Sequence, residues 1–438
     1  MSTLSKSFRD CLYPALPQII QQFGTPFHIY HESGIRQTLR KLKGSFPKNE
    51  FQEFFAVKAL PLSAIMQIVK SEGCGFDCSS IPELRLARAA GALPEDIMFT
   101  ANNPSTEELM EALSFGGCIL NLDGIEFIEK VEEIGPFPEL ICFRLNPGNR
   151  KTGDEVNTII GNPVDSKYGV PIEKIVEAYS LAKKAGATRF GLHTMVCSND
   201  LNYIHLVSTY RLLLEVATKL EEELGIKLEF VNVGGGLGIP YRPGEKEFDL
   251  EAFALERSCL GEEFMRTHGY LPKLYMESGR YVTGPHGVLV NRVINIYEKY
   301  KNFVGVEIAM PALMRVGMYP ATAYHHCTLL NADGLMIKEG SRPLTKVTIA
   351  GSICENCDVL GRDIEMPEPC EGDLVITHFT GAHGSAMGFN YNGRCRPQEL
   401  LICKDGTVRR ISRAETYDDL IARQLGLNGS EHVLELEL

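Results

Sequence analysis

Phe54-Phe55-Ala56-Val57-Lys58-Ala59 opens the part of the chain in which strand and helix patterns alternate. Two aromatics, a small residue and a valine read as a buried strand. The run then meets a lysine. Desolvating an unpaired ammonium is costly, so a strand buried on both faces seldom carries one. Two readings of Lys58 follow. In the first it lies just past the strand end and snorkels to water. In the second it is a desolvated amine with a depressed pKa, able to form a Schiff base. The hexapeptide alone favours the first.

Working outward, strands are predicted near 54–57, 74–78, 97–100, 118–122, 140–145, 190–196, 228–233 and 273–277. Helical patterns lie between them, among others Pro82–Ala90, Glu107–Ser114, Ile172–Ala185 and Val207–Leu224, and Ile35–Leu42 precedes them. Eight strands with crossover helices over about 230 residues predict an α/β fold, a (β/α)8 TIM-type barrel. A doubly wound open sheet is the alternative. Beyond residue 283 the texture changes. Val288–Tyr297, Thr345–Ile349, Leu374–Thr377 and Leu400–Cys403 are short β-like runs between Gly, Pro and Asp turns. They predict a second, mostly β domain, which the N-terminal strand Pro26–Tyr30 is expected to join. The expected division is 34–283 for the barrel, with 1–33 and 284–438 forming the β-sandwich-like domain. A last helix is predicted over Thr416–Gln424.

Composition narrows the function. Lys and Arg number 44 against 56 Asp and Glu, a net charge of −12. That argues against a nucleic-acid or anionic-membrane surface. The first twenty residues lack the apolar run of a signal peptide, and no stretch approaches the roughly 18 apolar residues of a membrane span. The expectation is a cytoplasmic protein with no nucleic-acid or membrane partner. Thirteen cysteines, an odd number scattered in apolar segments, predict reduced and buried thiols. Cys354-Glu355-Asn356-Cys357 has no second pair at zinc spacing, so no metal site is expected.

In such a barrel the chemistry collects at the C-terminal ends of the strands. Those ends carry Lys58, Asp77, Asn102, Asn121, Arg144, His193, Gly234-Gly235-Gly236 and Glu277 with Arg280. One polar residue there would mean little; together they read as a lined pocket. The glycine triplet follows the seventh strand, where bare backbone N–H groups can approach a phosphate. On its own it is equally a tight turn. A phosphate seat, a lysine and a carboxylate in one barrel mouth fit pyridoxal phosphate.

From about Thr25 to Glu415 the motifs carry a resemblance. They are Ala56-Val57-Lys58-Ala59, Gly75-Phe76-Asp77, Phe99-Thr100-Ala101-Asn102-Asn103, Arg144-Leu145-Asn146-Pro147-Gly148, Ser166-Lys167-Tyr168-Gly169, Gly234-Gly235-Gly236-Leu237-Gly238, Glu277-Ser278-Gly279-Arg280, Met314-Arg315 with Tyr319, Cys354-Glu355 and Gly381-Ala382-His383-Gly384. In number, order and spacing they resemble the pyridoxal-phosphate decarboxylases with an alanine-racemase-like barrel, and within them the branch acting on diaminopimelate.

The resemblance implies the cofactor pyridoxal 5'-phosphate, an amino-acid substrate, and a head-to-tail homodimer whose active sites are shared. It implies that Lys58 is the Schiff-base lysine and that Glu277 partners the pyridine nitrogen. Gly235, Gly236, Arg280 and Ser198 resemble the phosphate contacts, and Arg144 and Asp77 lie near the cofactor. Cys354, reaching in from the other subunit, resembles the proton donor to the carbanion carbon. Arg315 and Tyr319, with Arg280 close by, sit where the distal carboxylate of diaminopimelate is bound, and Glu355 where its distal ammonium is read. A carboxylate at Glu277 points to decarboxylation, since racemases of this fold carry an arginine there. An arginine at 315 would repel the bare distal ammonium of ornithine or lysine. A structural ion pair is the other reading of Arg315.

Three departures stand out. Where the family places a ring-stacking histidine on the sixth strand, this chain has Met195, with His193 two residues earlier; either is a candidate to pack on the ring. His383 stands where a phosphate-binding tyrosine is usual. Ser278 replaces a proline after Glu277. The expected reaction is decarboxylation of meso-2,6-diaminopimelate to L-lysine. The alternatives are ornithine, lysine, carboxynorspermidine or a siderophore precursor as substrate, or an inactive regulatory homologue.

Overall fold

The computed structural model describes residues 4–114, 116–149 and 162–424. Eight parallel strands close on themselves: β2 (Phe51–Ala56), β3 (Gly75–Cys78), β4 (Ile97–Ala101), β5 (Ile119–Leu122), β6 (Leu140–Asn146), β8 (Arg189–His193), β9 (Phe230–Asn232) and β10 (Lys273–Met276). A two-residue strand, β7 (Val170–Pro171), extends the edge beside β6. Pairing of β10 with β2, Leu274 opposite Phe51, completes the ring. The closed order excludes the open-sheet alternative. These strands read as apolar runs because both faces are covered. Outside, helices pack against them in one large core. Inside, Phe54, Met98, Ile119, Leu140, Cys142 and Phe230 form a separate cluster with Tyr275, whose ring stacks on Phe230 at 4.2 Å. The barrel is thus filled below its mouth, and side chains at the strand ends have only the mouth to occupy.

The second sheet holds β1 (Phe27–His31), β11 (Gly287–Glu298), β12 (Asn302–Val306), β13 (Cys327–Leu330), β14 (Leu344–Ala350), β15 (Val359–Pro367), β16 (Leu374–Thr377), β17 (Gln398–Ile402) and β18 (Val408–Ser412). β1 runs antiparallel to β11 and parallel to β17, so the N-terminal strand joins the C-terminal sheet as expected.

The N-terminal helix escaped the sequence reading. Lys6–Phe23 contains Pro14 and Pro17, which break the usual helix signal. Yet Phe8, Leu12, Leu16 and Ile19 recur at helical spacing and are buried against the β-sheet core. Leu250–His268 packs along Tyr203–Leu224. The last helix is shorter than expected, Tyr417–Ile421. The thiols also depart from expectation. Cys74, Cys78, Cys118, Cys142, Cys197 and Cys327 are buried, but Cys11, Cys259, Cys354 and Cys370 are exposed. No described helix is long and apolar enough to cross a membrane.

Candidate active site

β2 ends at Ala56, and a single 3-10 turn, Val57–Ala59, lifts Lys58 over the barrel mouth. Its Nζ lies 3.1 Å from Asp77 Oδ2, at the end of neighbouring β3. Protein surrounds the ammonium, although 46% of the side-chain surface is reached from the open cavity. The Asp77 carboxylate pushes Lys58 up to about 12, with Glu277 adding to it and burial opposing. The depressed amine entertained from the hexapeptide is therefore absent: an opposite charge outweighs desolvation.

Three carboxyl groups face one another here. Asp77 is buried, and burial followed by the charge of Glu277 pushes it up against the pull of Lys58. Glu277 sits just past β10. Burial opposes its charge, but His193, Lys58 and Asn232 hold it well below the usual carboxylate range. Its Oε1 accepts from Asn232 Nδ2 at 2.8 Å and lies 3.4 Å from His193 Nε2. Glu53, which the sequence reading passed over, accepts from the Ser278 N–H at 2.5 Å and so pins the turn after Glu277. Burial drives Glu53 well above its ordinary value, against the pull of the hydrogen bonds from Ser278. The site thus separates one ionised carboxylate from two that resist ionisation.

The glycine triplet follows β9. Asn232 Oδ1 accepts from the Gly234 N–H at 2.8 Å and sets the turn. A Cβ on Gly235 would lie 2.6 Å from the Glu277 carbonyl, and one on Gly236, at φ +100°, would lie 2.6 Å from Cys197 Sγ. Only glycine fits. Among the described residues the N–H groups of Gly235 and Gly236 have no acceptor. Together with Lys58, Met195, Ser198, Glu277, Arg280 and His383 they line a cavity of about 400 Å³, open mouth included.

Arg280 and Arg315 flank Tyr241. Arg280 Nη1 donates to the Tyr241 hydroxyl at 2.7 Å, and the Arg315 guanidinium lies over the Tyr241 ring at 4.6 Å. Arg315 is 4% exposed and donates to His325 Nε2 at 2.9 Å. Among the described residues neither arginine has a carboxylate partner. Among the described residues, then, the structural ion pair considered for Arg315 is not formed, and both cations stand without a carboxylate. Tyr319 caps the short helix Arg315–Met318, its backbone N–H donating to the Arg315 carbonyl at 2.9 Å. His383 adopts φ +54° and donates its backbone N–H to the Ala59 carbonyl at 2.9 Å, bringing a loop of the second sheet onto the lysine turn. Burial, then Arg280, Arg315 and Lys58, hold its imidazole well below the ordinary value.

Other expected residues sit further out. Met195 lines the cavity and His193 does not: β8 ends at His193, whose side chain is sealed against Glu277, while the chain beyond turns Met195 to the opening. Arg144 stacks on Tyr168 at 4.3 Å and lies 3.7 Å from Asp123. Cys354 and Glu355 are exposed on the loop between β14 and β15 and do not line the Lys58 cavity of their own chain. Cys354 Sγ meets Tyr391 Oη at 3.4 Å and Asn392 Oδ1 at 3.3 Å. Sequence reasoning also missed Tyr241 and His325; a lone tyrosine in a loop and one member of a His-His pair give no local signal.

An amine, an anion cradle of bare N–H groups with Arg280, and an ionised carboxylate across the cavity match the aldehyde, phosphate and ring nitrogen of pyridoxal phosphate. A protein-family model described as the pyridoxal binding domain of pyridoxal-dependent decarboxylases matches residues 32–284. The chain is similar to Protein TabA of Pseudomonas amygdali pv. tabaci, 44% identical over 418 residues and 95% of each chain. It is 34% identical to the diaminopimelate decarboxylase of Methanothermobacter thermautotrophicus over 93% of each. A crystal structure of diaminopimelate decarboxylase from m. jannaschi superposes with a TM-score of 0.85 at 28% identity, covering 94% of this chain and 95% of that one.

Proposed function

Because the chain belongs to the pyridoxal-dependent decarboxylase family and is a pyridoxal-phosphate-dependent amino-acid decarboxylase, we propose that its substrate is meso-2,6-diaminopimelate and its products L-lysine and carbon dioxide. The observation carrying this reading is the pair of uncompensated cations, Arg280 and Arg315, about Tyr241. One suffices for the cofactor phosphate. The second needs another anion, which the distal carboxylate of diaminopimelate supplies and lysine or ornithine lacks.

When bound, the cofactor supplies a sink for the electron pair left on the α-carbon as carbon dioxide departs. Lys58 is the residue that would hold its aldehyde carbon. Glu277, kept ionised by His193 and Asn232, keeps a proton on the ring nitrogen. Gly235, Gly236, Ser198, Arg280 and His383 would hold the phosphate, and the Met195 thioether would pack on the ring. Asp77 balances the Lys58 ammonium, and Arg144, held by Tyr168 and Asp123, would stand near the bound cofactor. Arg315 and Tyr319 bind the distal carboxylate.

Cys354 and Glu355 come from a second copy of the chain: Cys354 returns a proton to the α-carbon, and Glu355 binds the distal ammonium. Their distance from the cavity of their own chain supports a homodimer with shared sites. Mixing inactive Lys58→Ala with inactive Cys354→Ala is expected to restore part of the activity, since one hybrid site holds both wild-type residues. No recovery after verified subunit exchange would mean that each site is built from one chain.

The direct test is a substrate panel read by carbon dioxide release. Meso-diaminopimelate is expected to exceed lysine and ornithine by about 100-fold or more in kcat/KM. The chain is 44% identical to TabA against 34% to a diaminopimelate decarboxylase, and the one other reading is a related amino acid that, to meet Arg315, also bears a distal anion. Turnover of such an acid with none of diaminopimelate would select it.

A further inference from the structure

We propose that Tyr241 and His325 are positioning residues that aim the two arginines separately, Arg280 at the cofactor phosphate and Arg315 at the distal carboxylate of the substrate. The second half rests on the reading of Arg315 given above. A guanidinium on a long flexible stem binds an anion well only when its fork is held in place. Proteins commonly hold it with a carboxylate, but a carboxylate also cancels the charge. Here the holders are neutral.

Tyr241 is 4% exposed. Its hydroxyl takes one Arg280 N–H at 2.7 Å, and its ring face supports Arg315 at 4.6 Å. One side chain thus touches both cations: its hydroxyl holds Arg280, which lies 5.8 Å from the ring centre, and the ring face is closer to Arg315. His325 is 1% exposed. Its Nδ1 lies 2.8 Å from the His378 carbonyl, which can only accept, so Nδ1 carries the proton and Nε2 the lone pair. That lone pair takes Arg315 Nη1 at 2.9 Å. Burial, then the Arg315 charge, lower His325 to about 3, so it stays a neutral acceptor. Tyr241 and His325 meet edge to face at 5.0 Å, locking the two holders together. Arg315 keeps N–H groups beyond the one given to His325, and with them its full charge.

The two holders predict opposite effects. Tyr241→Phe removes the hydroxyl and keeps the ring. It is expected to weaken cofactor binding by the apoprotein about 10-fold in a fluorescence titration with pyridoxal phosphate, leaving the ratio of diaminopimelate to lysine turnover unchanged. His325→Leu removes the acceptor. It is expected to raise KM for diaminopimelate about 10- to 100-fold, with a much smaller change in kcat and none in cofactor affinity. His325→Gln, whose carbonyl can accept the same N–H, is expected to recover most of that loss; should His325→Leu fail to fold, His325→Ala against His325→Gln makes the comparison. Variants that shift cofactor affinity and KM together, or a glutamine no better than the apolar residue, overturn the proposal. A wild-type enzyme indifferent to diaminopimelate defeats the substrate reading and the Arg315 half with it, while the Tyr241 titration still decides the Arg280 half.

Discussion

Lys58→Ala is expected to lower kcat at least about 1000-fold and to leave the purified protein without the yellow colour of a lysine-bound cofactor, while the fold persists. The side chain leaves from a one-turn 3-10 segment toward the cavity, so its loss opens no hole in the barrel core. It does strip Asp77 of the one counter-charge it has among the described residues. Asp77 is already pushed up by burial and by Glu277. A carboxyl raised in the folded state contributes stability at acid pH, where it is protonated in both states, and that contribution is lost as pH rises through the raised value. Without Lys58 the value rises further. The Tm deficit of the variant against wild type is therefore expected to grow between about pH 5 and about pH 8. A constant deficit would show that Asp77 is not ionised beside Lys58. Borohydride reduction followed by peptide mapping is the stricter check. If the cofactor is found on another lysine, the reading of the first barrel strand fails.

Arg315→Ala is expected to cut kcat/KM for diaminopimelate by about 30- to 1000-fold, the equivalent of roughly 2–4 kcal/mol for a charge-assisted contact truncated in a desolvated pocket. Turnover of lysine or ornithine should fall far less, because neither presents a distal carboxylate. The variant also leaves His325 Nε2 without its donor and the Tyr241 ring without the nearer of its two cations. Arg315→Lys separates these effects from loss of charge. It keeps a positive charge but not the planar fork, so its selectivity should fall between wild type and alanine. An equal decline for every substrate in both variants would mean that Arg315 serves the fold and does not face the substrate.

Much of the architecture was legible in the sequence because its signals are local. The barrel strands fell within a few residues of the predicted runs: β5 was expected at 118–122 and spans Ile119–Leu122, and β10 was expected at 273–277 and spans Lys273–Met276. Parallel strands covered on both faces must be continuously apolar, and the helices between them must be apolar on one side. Strand 190–196 was read too long because Thr194, Met195 and Val196 keep β propensity after the ladder ends at His193. Lys6–Phe23 was missed because its stripe of buried residues is masked by Pro14 and Pro17, which read as helix breakers. The position of Lys58, Glu277 and the glycine triplet at strand ends was likewise a local fact, and the barrel topology turned it into a site.

By itself, then, the sequence determined an alternating chain with a lysine, a carboxylate and a glycine loop at matching strand ends, followed by a β-rich region. Tertiary structure alone decided the rest. Local pattern does not say that β10 pairs with β2, or that β1 lies between β11 and β17. Nor does it show that Met195 opens to the cavity while His193 turns to Glu277, or that Tyr241 and His325 stand between two arginines. Such contacts join residues far apart in the chain. Their geometry depends on how closed sheets bring side chains together, and periodicity along the backbone carries no record of that.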